Sequence, residues 1–205
     1  MPVVCINWET IHLHGERWIA HLRLRHQLFV ERQGWDVPTF RGMEHDQFDT
    51  PAAQYLLWLD DAGDTRGAAR LIPTTRPYMV QQLWPDLVPG DLPRSDTVWE
   101  ATRFCCDPLL ELRTRRRAVT EILSAVYEYG ITNGIQQYLV VMPVRLLRTV
   151  LMKAGCHVQV LGPKRILGSL PAAAALAVTP EVLAEIRRRG QLHSPALRTD
   201  MALAA

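Results

Sequence analysis

A strand-like stretch at 98–107, VWEATRFCCD, carries Glu100 and Arg103 among β-branched, aromatic and thiol side chains. Strand formers of this kind belong in a sheet interior. An ionised side chain persists there only when it is paired or does chemistry. In a regular strand, positions three apart point to opposite faces. A β-bulge between Glu100 and Arg103 would swing both into one cleft, and bulges recur beside active sites. The sequence therefore predicts a bulge there, and it leaves open a structural ion pair or a reaction centre.

The flanking order narrows the fold. In ERWIAHLRLRHQLF (16–29), Trp18, Leu22 and Phe29 recur at helical spacing with Arg25 on the same face. Residues 30–51 read as a long loop, rich in Gly, Pro and charge, whose Trp35, Phe40 and Phe48 argue against disorder. Residues 53–75 read as two strands about an Asp/Gly-rich turn. After the strand at 98–107, Val119, Ile122, Leu123, Val126 and Gly130 mark a helix. A buried strand (137–143), a helix ending at Gly155 and a last strand (156–162) follow, and Thr179-Pro180-Glu181 opens a C-terminal helix in good capping order. Strand-helix-strand units imply parallel pairs with right-handed crossovers. The expected class is α/β (α+β), an acetyltransferase-like (GNAT) mixed twisted sheet with helices on both faces.

Composition excludes several alternatives. At 205 residues the chain is expected to form a single domain over 1–205, with 198–205 a frayed tail. A formal net charge of +2 is too small to imply nucleic acid or a membrane surface. No apolar run reaches the roughly 18 residues of a membrane span, and MPVVCINWET lacks the pattern of a secretory leader. Four cysteines and seven histidines are scattered, without disulfide-framework or metal-ligand spacing. The expectation is a cytoplasmic protein with no metal, no bound nucleic acid and no membrane insertion.

Charge nonetheless clusters locally. Glu44, Asp46 and Asp49 lie close together in the long loop, while Arg25, Arg70 and Arg103 sit on segments that otherwise look buried. Taken singly, each reads as a solvated surface charge. Together, three arginines on apolar faces need anions, and the loop supplies them. Either they form a structural ion-pair network or they line a cleft for a charged small molecule, or both. RTRRRA (113–118) places four arginines where a strand hands over to a helix, a position whose dipole favours anions. Cations there need an anionic partner such as phosphate. IRRRG (186–190) ends a helix, where cations are expected.

These positions resemble the acyl-homoserine-lactone synthases, the autoinducer synthases of bacterial quorum sensing. The match runs through RHQLF (Arg25, Phe29), GW (Trp35), EHDQFD (Glu44, Asp46, Asp49), GAARLIPTTRPYM (Arg70), Trp84 where the family commonly has Phe, and VWEATRF (Glu100, Arg103, Phe104). The second half matches only in its element order. The resemblance implies an acyltransferase that takes S-adenosylmethionine as the amine and an acyl thioester, on coenzyme A or acyl-carrier protein, as donor. Lactone closure then releases methylthioadenosine. Both reactants are substrates, so no cofactor is implied.

The resemblance also implies roles. Glu100 takes the amine proton, directly or through water. Asp46 and Asp49 suit the ammonium, Arg25 or Arg103 the carboxylate, and Phe29 and Trp35 the adenine or sulfonium. Arg70 and Glu44 give ion-pair support. Trp84, Phe104 and Val141 line the acyl pocket, where the bulk of Trp84 leans towards a short, branched or aromatic acyl group. Arg113, Arg116 and Arg117, with Arg115, Arg145, Arg148 and Lys153 nearby, meet the phosphates of coenzyme A or the acidic surface of a carrier protein. A generic CoA-dependent N-acyltransferase would explain the arginines and the fold but not Trp35, the loop acids and Arg103 together. An arginine-rich nucleic-acid-binding module has no recognition motif here to support it.

Overall fold

The computed structural model describes residues 2–162 and 171–198. Its strands are β1 (Val3–Ile6), β2 (Thr39–Phe40), β3 (Met43–Glu44), β4 (Gln54–Leu59), β5 (Thr65–Pro73), β6 (Val98–Cys106), β7 (Gln137–Pro143), β8 (Val158–Val160) and β9 (Pro171–Ala177). The helices are α1 (Gly15–Arg25), α2 (Met79–Leu83), α3 (Leu112–Thr132), α4 (Val144–Leu146) and α5 (Pro180–Gly190). Both α1 and α4 run on into wider π-helical turns, His26–Arg32 and Leu147–Met152.

Seven strands form one mixed sheet in the order β1-β4-β5-β6-β7-β9-β8. All neighbours pair antiparallel except β6 and β7, which run parallel across the α3 crossover. One face of the sheet packs Leu56, Trp58 and Leu71 against Ile122, Val126 and Ile186 of α3 and α5. The other packs Leu57, Ala68 and Ile72 against Leu24, Leu28 and Phe29 of α1 and its π extension. Helices therefore cover both faces, as a sheet buried on both sides requires.

The sequence reading and the fold differ at several places, and α2 is not among the helices the sequence predicts. β1 is an apolar edge strand too short to show a period. β9, PAAAALA, is mostly alanine, a poor strand former whose small side chains suit a strand buried between two neighbours. Its insertion means that β8 pairs with β9 and not with β7. The loop at 30–51 contains the β2–β3 hairpin, turned by Arg41 and Gly42 at φ 50° and 73°, values a tight hairpin turn needs. Finally, Arg198, expected in a frayed tail, donates its N–H to the Val3 carbonyl at 2.7 Å, while 199–205 lie outside the described residues.

Two features position the site. β6 and β7 pair only from Val98–Glu100 to Gln137–Leu139 and separate beyond, which leaves a wedge open towards the end of β6. Within β6, Thr102 pairs with Arg70 and Cys105 with Ala68, so Arg103 and Phe104 together stand opposite Ala69. This is a bulge, with Arg103 left-handed at φ 51°.

α3 lies close to the sheet because Gly130 leaves room for Tyr138: a Cβ there would sit 2.8 Å from the Tyr138 hydroxyl and 2.9 Å from a Val178 methyl. Gly130→Ala is expected to destabilise the protein by about 1–3 kcal/mol through overpacking. Urea unfolding should show a lower midpoint at unchanged slope.

Candidate active site

The bulge answers the question raised by Glu100 and Arg103. The register is regular from Trp99 to Thr102, so the irregularity falls at Arg103–Phe104 and not between Glu100 and Arg103 as the sequence suggested. Glu100 and Thr102 share a face by strand parity, and the extra residue turns Arg103 onto that same face. Phe104 is sent to the other. Both Glu100 and Arg103 then meet Met79 of α2.

Six charged side chains, Arg103 among them, interlock here with Thr102 and Tyr55. Arg25 on α1 bonds through Nε to Glu44 on β3 and grips Asp49 through both terminal nitrogens at 2.8 and 2.9 Å. Arg70 on β5 holds Asp46 at 2.6 and 3.0 Å, reaches Asp49 at 2.7 Å and donates Nε–H to Thr102 Oγ1 at 3.0 Å. Arg103 bonds Glu44 at 2.9 Å and Asp46 at 2.6 Å. Tyr55 on β4 donates its hydroxyl to Asp49 at 2.8 Å. The Glu44 and Arg25 side chains are essentially sealed from solvent, and the rest are nearly so. Such burial is tolerable because three guanidinium groups face three carboxylates with forked geometry. Burial alone would raise the Asp46 and Asp49 carboxyls, but the hydrogen bonds from Arg70 and Arg25 outweigh it and hold both below the usual range.

An aromatic wall completes the cleft. The π-helical turn carries Phe29, which stacks on Trp35 with ring centroids 4.6 Å apart. The Arg103 guanidinium lies 5.4 Å from each ring, a cation–π arrangement. Trp35 is 39% exposed, so this wall is open to a ligand.

Glu100 stands outside the ion-pair network. Its two oxygens accept the Met79 and Val80 N–H groups at 2.8 and 2.7 Å. Burial pushes its carboxyl up to about 7, against the opposing pull of those two N–H groups. It lies in the last β6–β7 residue pair before the strands part. A carboxylate that titrates near neutrality at the apex of an open wedge is equipped to accept a proton from a ligand held there.

The structure separates other predicted residues. Trp84 and Val141 pack against the α1-side cluster, as do Val88, Leu92 and Leu161. Phe104 packs with the α3-side cluster instead, because the bulge reverses its parity, so it does not share a pocket with Trp84. Arg113, Arg116 and Arg117 line a groove of about 900 Å³ at the end of β6, together with Arg115, Lys153, Arg189 and the chain from Gly190 to Ala196. Arg117 is tied to Glu121 at 3.0 Å. Arg145 and Arg148 do not line this groove. Thr102 and Tyr55 escaped the sequence reading. Thr102 was findable, since it has the same strand parity as Glu100, whereas the pairing of Tyr55 with Asp49 depends on tertiary placement.

A mixed sheet split at one parallel pair, with a titratable carboxylate at the split and a cationic groove at its mouth, defines an acyltransferase of the N-acetyltransferase-like fold. A putative N-acetyltransferase from Lactobacillus plantarum shares that fold (TM-score 0.57, 17% identity, covering 87% of this chain and 100% of that one). The sequence model of the autoinducer synthases matches residues 16–182. An acyl-homoserine-lactone synthase of Ralstonia solanacearum is 33% identical over 165 residues, 76% of this chain and 78% of its own. BjaI, a CoA-dependent acyl-homoserine lactone synthase solved with MTA and with SAM and isopentyl-CoA, superposes with a TM-score of 0.84 at 28% identity, covering 97% of this chain and 93% of that one. The chain belongs to the autoinducer synthase family and is an enzyme of the acyltransferase class.

Glu44 accepts from two buried arginines. Glu44→Gln would leave their charges underbalanced and is expected to cost about 3–5 kcal/mol of stability. Equilibrium unfolding at pH 7 checks this, and a loss under about 1 kcal/mol would contradict the role given to Glu44.

Proposed function

We propose that the cleft acylates the α-amine of S-adenosylmethionine from an acyl thioester and then lets the product close to an acyl-homoserine lactone. The observation that carries this reading is the position of Glu100 at the apex of the β6–β7 wedge, on the same face of β6 as Arg103, which lies against a stacked aromatic pair and within a cluster of charges. The amine attacks the thioester carbonyl carbon and passes its proton to Glu100, directly or through water. The backbone beside the Arg103 bulge supplies N–H groups for the tetrahedral oxyanion. The thiolate departs, and the substrate's carboxylate oxygen then attacks the carbon bearing sulfur, expelling neutral methylthioadenosine. The sulfonium provides the leaving group, so the chemistry needs no resident cofactor.

Phe29 and Trp35 take the adenine or the sulfonium, Trp35 on its exposed side and the buried Phe29 as its stacking support. Asp46 and Asp49 attract the ammonium and Arg103 the carboxylate, while Arg25, sealed from solvent and engaged with Glu44 and Asp49, acts from behind them. Since these four are also bonded to one another, the substrate meets a prearranged, internally balanced polar surface. The donor enters as acyl-coenzyme A, its phosphates on Arg113 and Arg116 in the groove and its arm running back along the wedge. From Cys106 to Glu100 the strand covers about 20 Å, which suits an extended thioester arm. An acyl-carrier protein would meet the same arginines through its acidic surface and competes as donor in the test below. Trp84 and Val141 bound the acyl end and favour a short, branched or aromatic group. Among the described residues no helix is long and apolar enough to cross a membrane. All four thiols are unpaired, which suits the reducing cytoplasm. Nothing in the proposed chemistry calls for nucleic acid.

Incubation with S-adenosylmethionine and matched acyl-CoA and acyl-carrier donors, with products read by mass spectrometry, should yield the lactone and methylthioadenosine. Acylation of an amine without methylthioadenosine release would indicate a generic N-acyltransferase instead. The acylation rate should rise with pH through about 7 as Glu100 ionises. Glu100→Gln should lose that limb and fall by about 10²–10⁴; unchanged turnover at every pH would refute the base role. Trp84→Phe should shift donor preference towards longer linear acyl chains, measured as the ratio of kcat/KM values.

A further inference from the structure

The buried carboxylate of Glu128 takes no part in the cleft. It projects from α3, and its Oε1 accepts the Ser124 hydroxyl at 2.7 Å, Arg187 Nη2 at 2.9 Å and the Ala196 N–H at 3.0 Å. Its Oε2 accepts the Leu197 N–H at 2.7 Å. One carboxylate thus joins α3, α5 and the segment that follows α5. Burial pushes its pKa up, but the Leu197 and Ala196 N–H groups, Ser124 and Arg187 outweigh that and hold it below the usual range.

The segment so held has two further anchors. Val3 donates to the Ala196 carbonyl at 3.0 Å and accepts from the Arg198 N–H, so the chain lies along the outer edge of β1. At its other end Gly190 packs so tightly on Thr120 that a Cβ would sit 2.2 Å from the Thr120 methyl, and Gln191 turns the chain back at φ 54°. Between these anchors Gln191, His193 and Ser194 share the basic groove with Arg113, Arg116 and Lys153. Arginines on an exposed helix turn are long and weakly ordered. A fixed opposite wall makes the groove concave and strengthens their hold on an anion by limiting water.

We infer that Glu128 is a positioning residue for the acyl donor, clamping the 191–197 segment as the rigid wall of the phosphate groove. This rests on the reading of that groove as the donor's phosphate site. Glu128→Ala in the full-length enzyme should raise KM for acyl-CoA about tenfold, the size expected for a lost charge-assisted hydrogen bond. KM for S-adenosylmethionine and kcat at saturating donor should stay unchanged, and amide exchange should quicken at Leu197 and Arg198. Glu128→Gln keeps the side-chain volume but turns one acceptor into a donor, so it should show a smaller rise. It carries the same comparison if the alanine variant does not fold. An R113A/R116A double variant serves as reference. If it raises donor KM while the Glu128 variants free the segment and leave donor KM unchanged, the clamp is overturned and the groove reading stands. If the double variant leaves donor KM unchanged, the groove reading falls and the inference falls with it. Exchange at Leu197 and Arg198 that does not quicken in either variant also overturns the clamp.

Discussion

The left-handed backbone of Arg103 is the constraint on which the cleft depends. A non-glycine residue in that conformation costs about 1–2 kcal/mol. The cost is offset because the turn delivers the guanidinium to Glu44 and Asp46 and beneath two aromatic rings. Without the extra residue, Arg103 would point at α3, its two acids would lose a partner, and Arg25 and Arg70 would face an excess of negative charge. Strain at one residue is thus held by contacts from the π-helical turn after α1, the β2–β3 hairpin and β6.

The same bulge helps to explain the divided sheet. A strand that bends away from its parallel neighbour cannot complete the ladder, and β6 and β7 separate after three residue pairs. The result is a slot through an otherwise continuous sheet. The slot links the basic groove on the α3 side with the charged cleft on the α1 side. Glu100 stays at the closed end, where low solvation raises its proton affinity.

Much of this was legible in the sequence, for a physical reason. Arg25, Arg70 and Arg103 lie on apolar segments, and buried cations must find anions, so convergence with Glu44, Asp46 and Asp49 followed from charge and burial alone. The exact partners did not follow, because side-chain pairing within a cluster is set by tertiary placement. The bulge lies a residue or two later than the sequence suggested, and Phe104, grouped with Trp84 by resemblance alone, faces the α3 side because the residue after Arg103 takes the opposite face of the strand. β9 was illegible because alanine has weak strand preference and its burial is decided by its neighbours. Helices α1, α3 and α5 and the strands β4 to β7 were clear because their periods were long or their caps distinct, whereas α2, only five residues long, shows no period.

One consequence follows from the charge balance of the cleft. Arg25, Arg70 and Arg103 are matched by Glu44, Asp46 and Asp49, so ionised Glu100 is the surplus charge in that neighbourhood. A ligand with net positive charge, as S-adenosylmethionine has, would therefore stabilise the ionised form of Glu100 and drive a proton off it. By thermodynamic reciprocity, such a ligand would bind more tightly to the enzyme once that proton has gone. Occupancy by the amine substrate and readiness of its base would then be one coupled equilibrium.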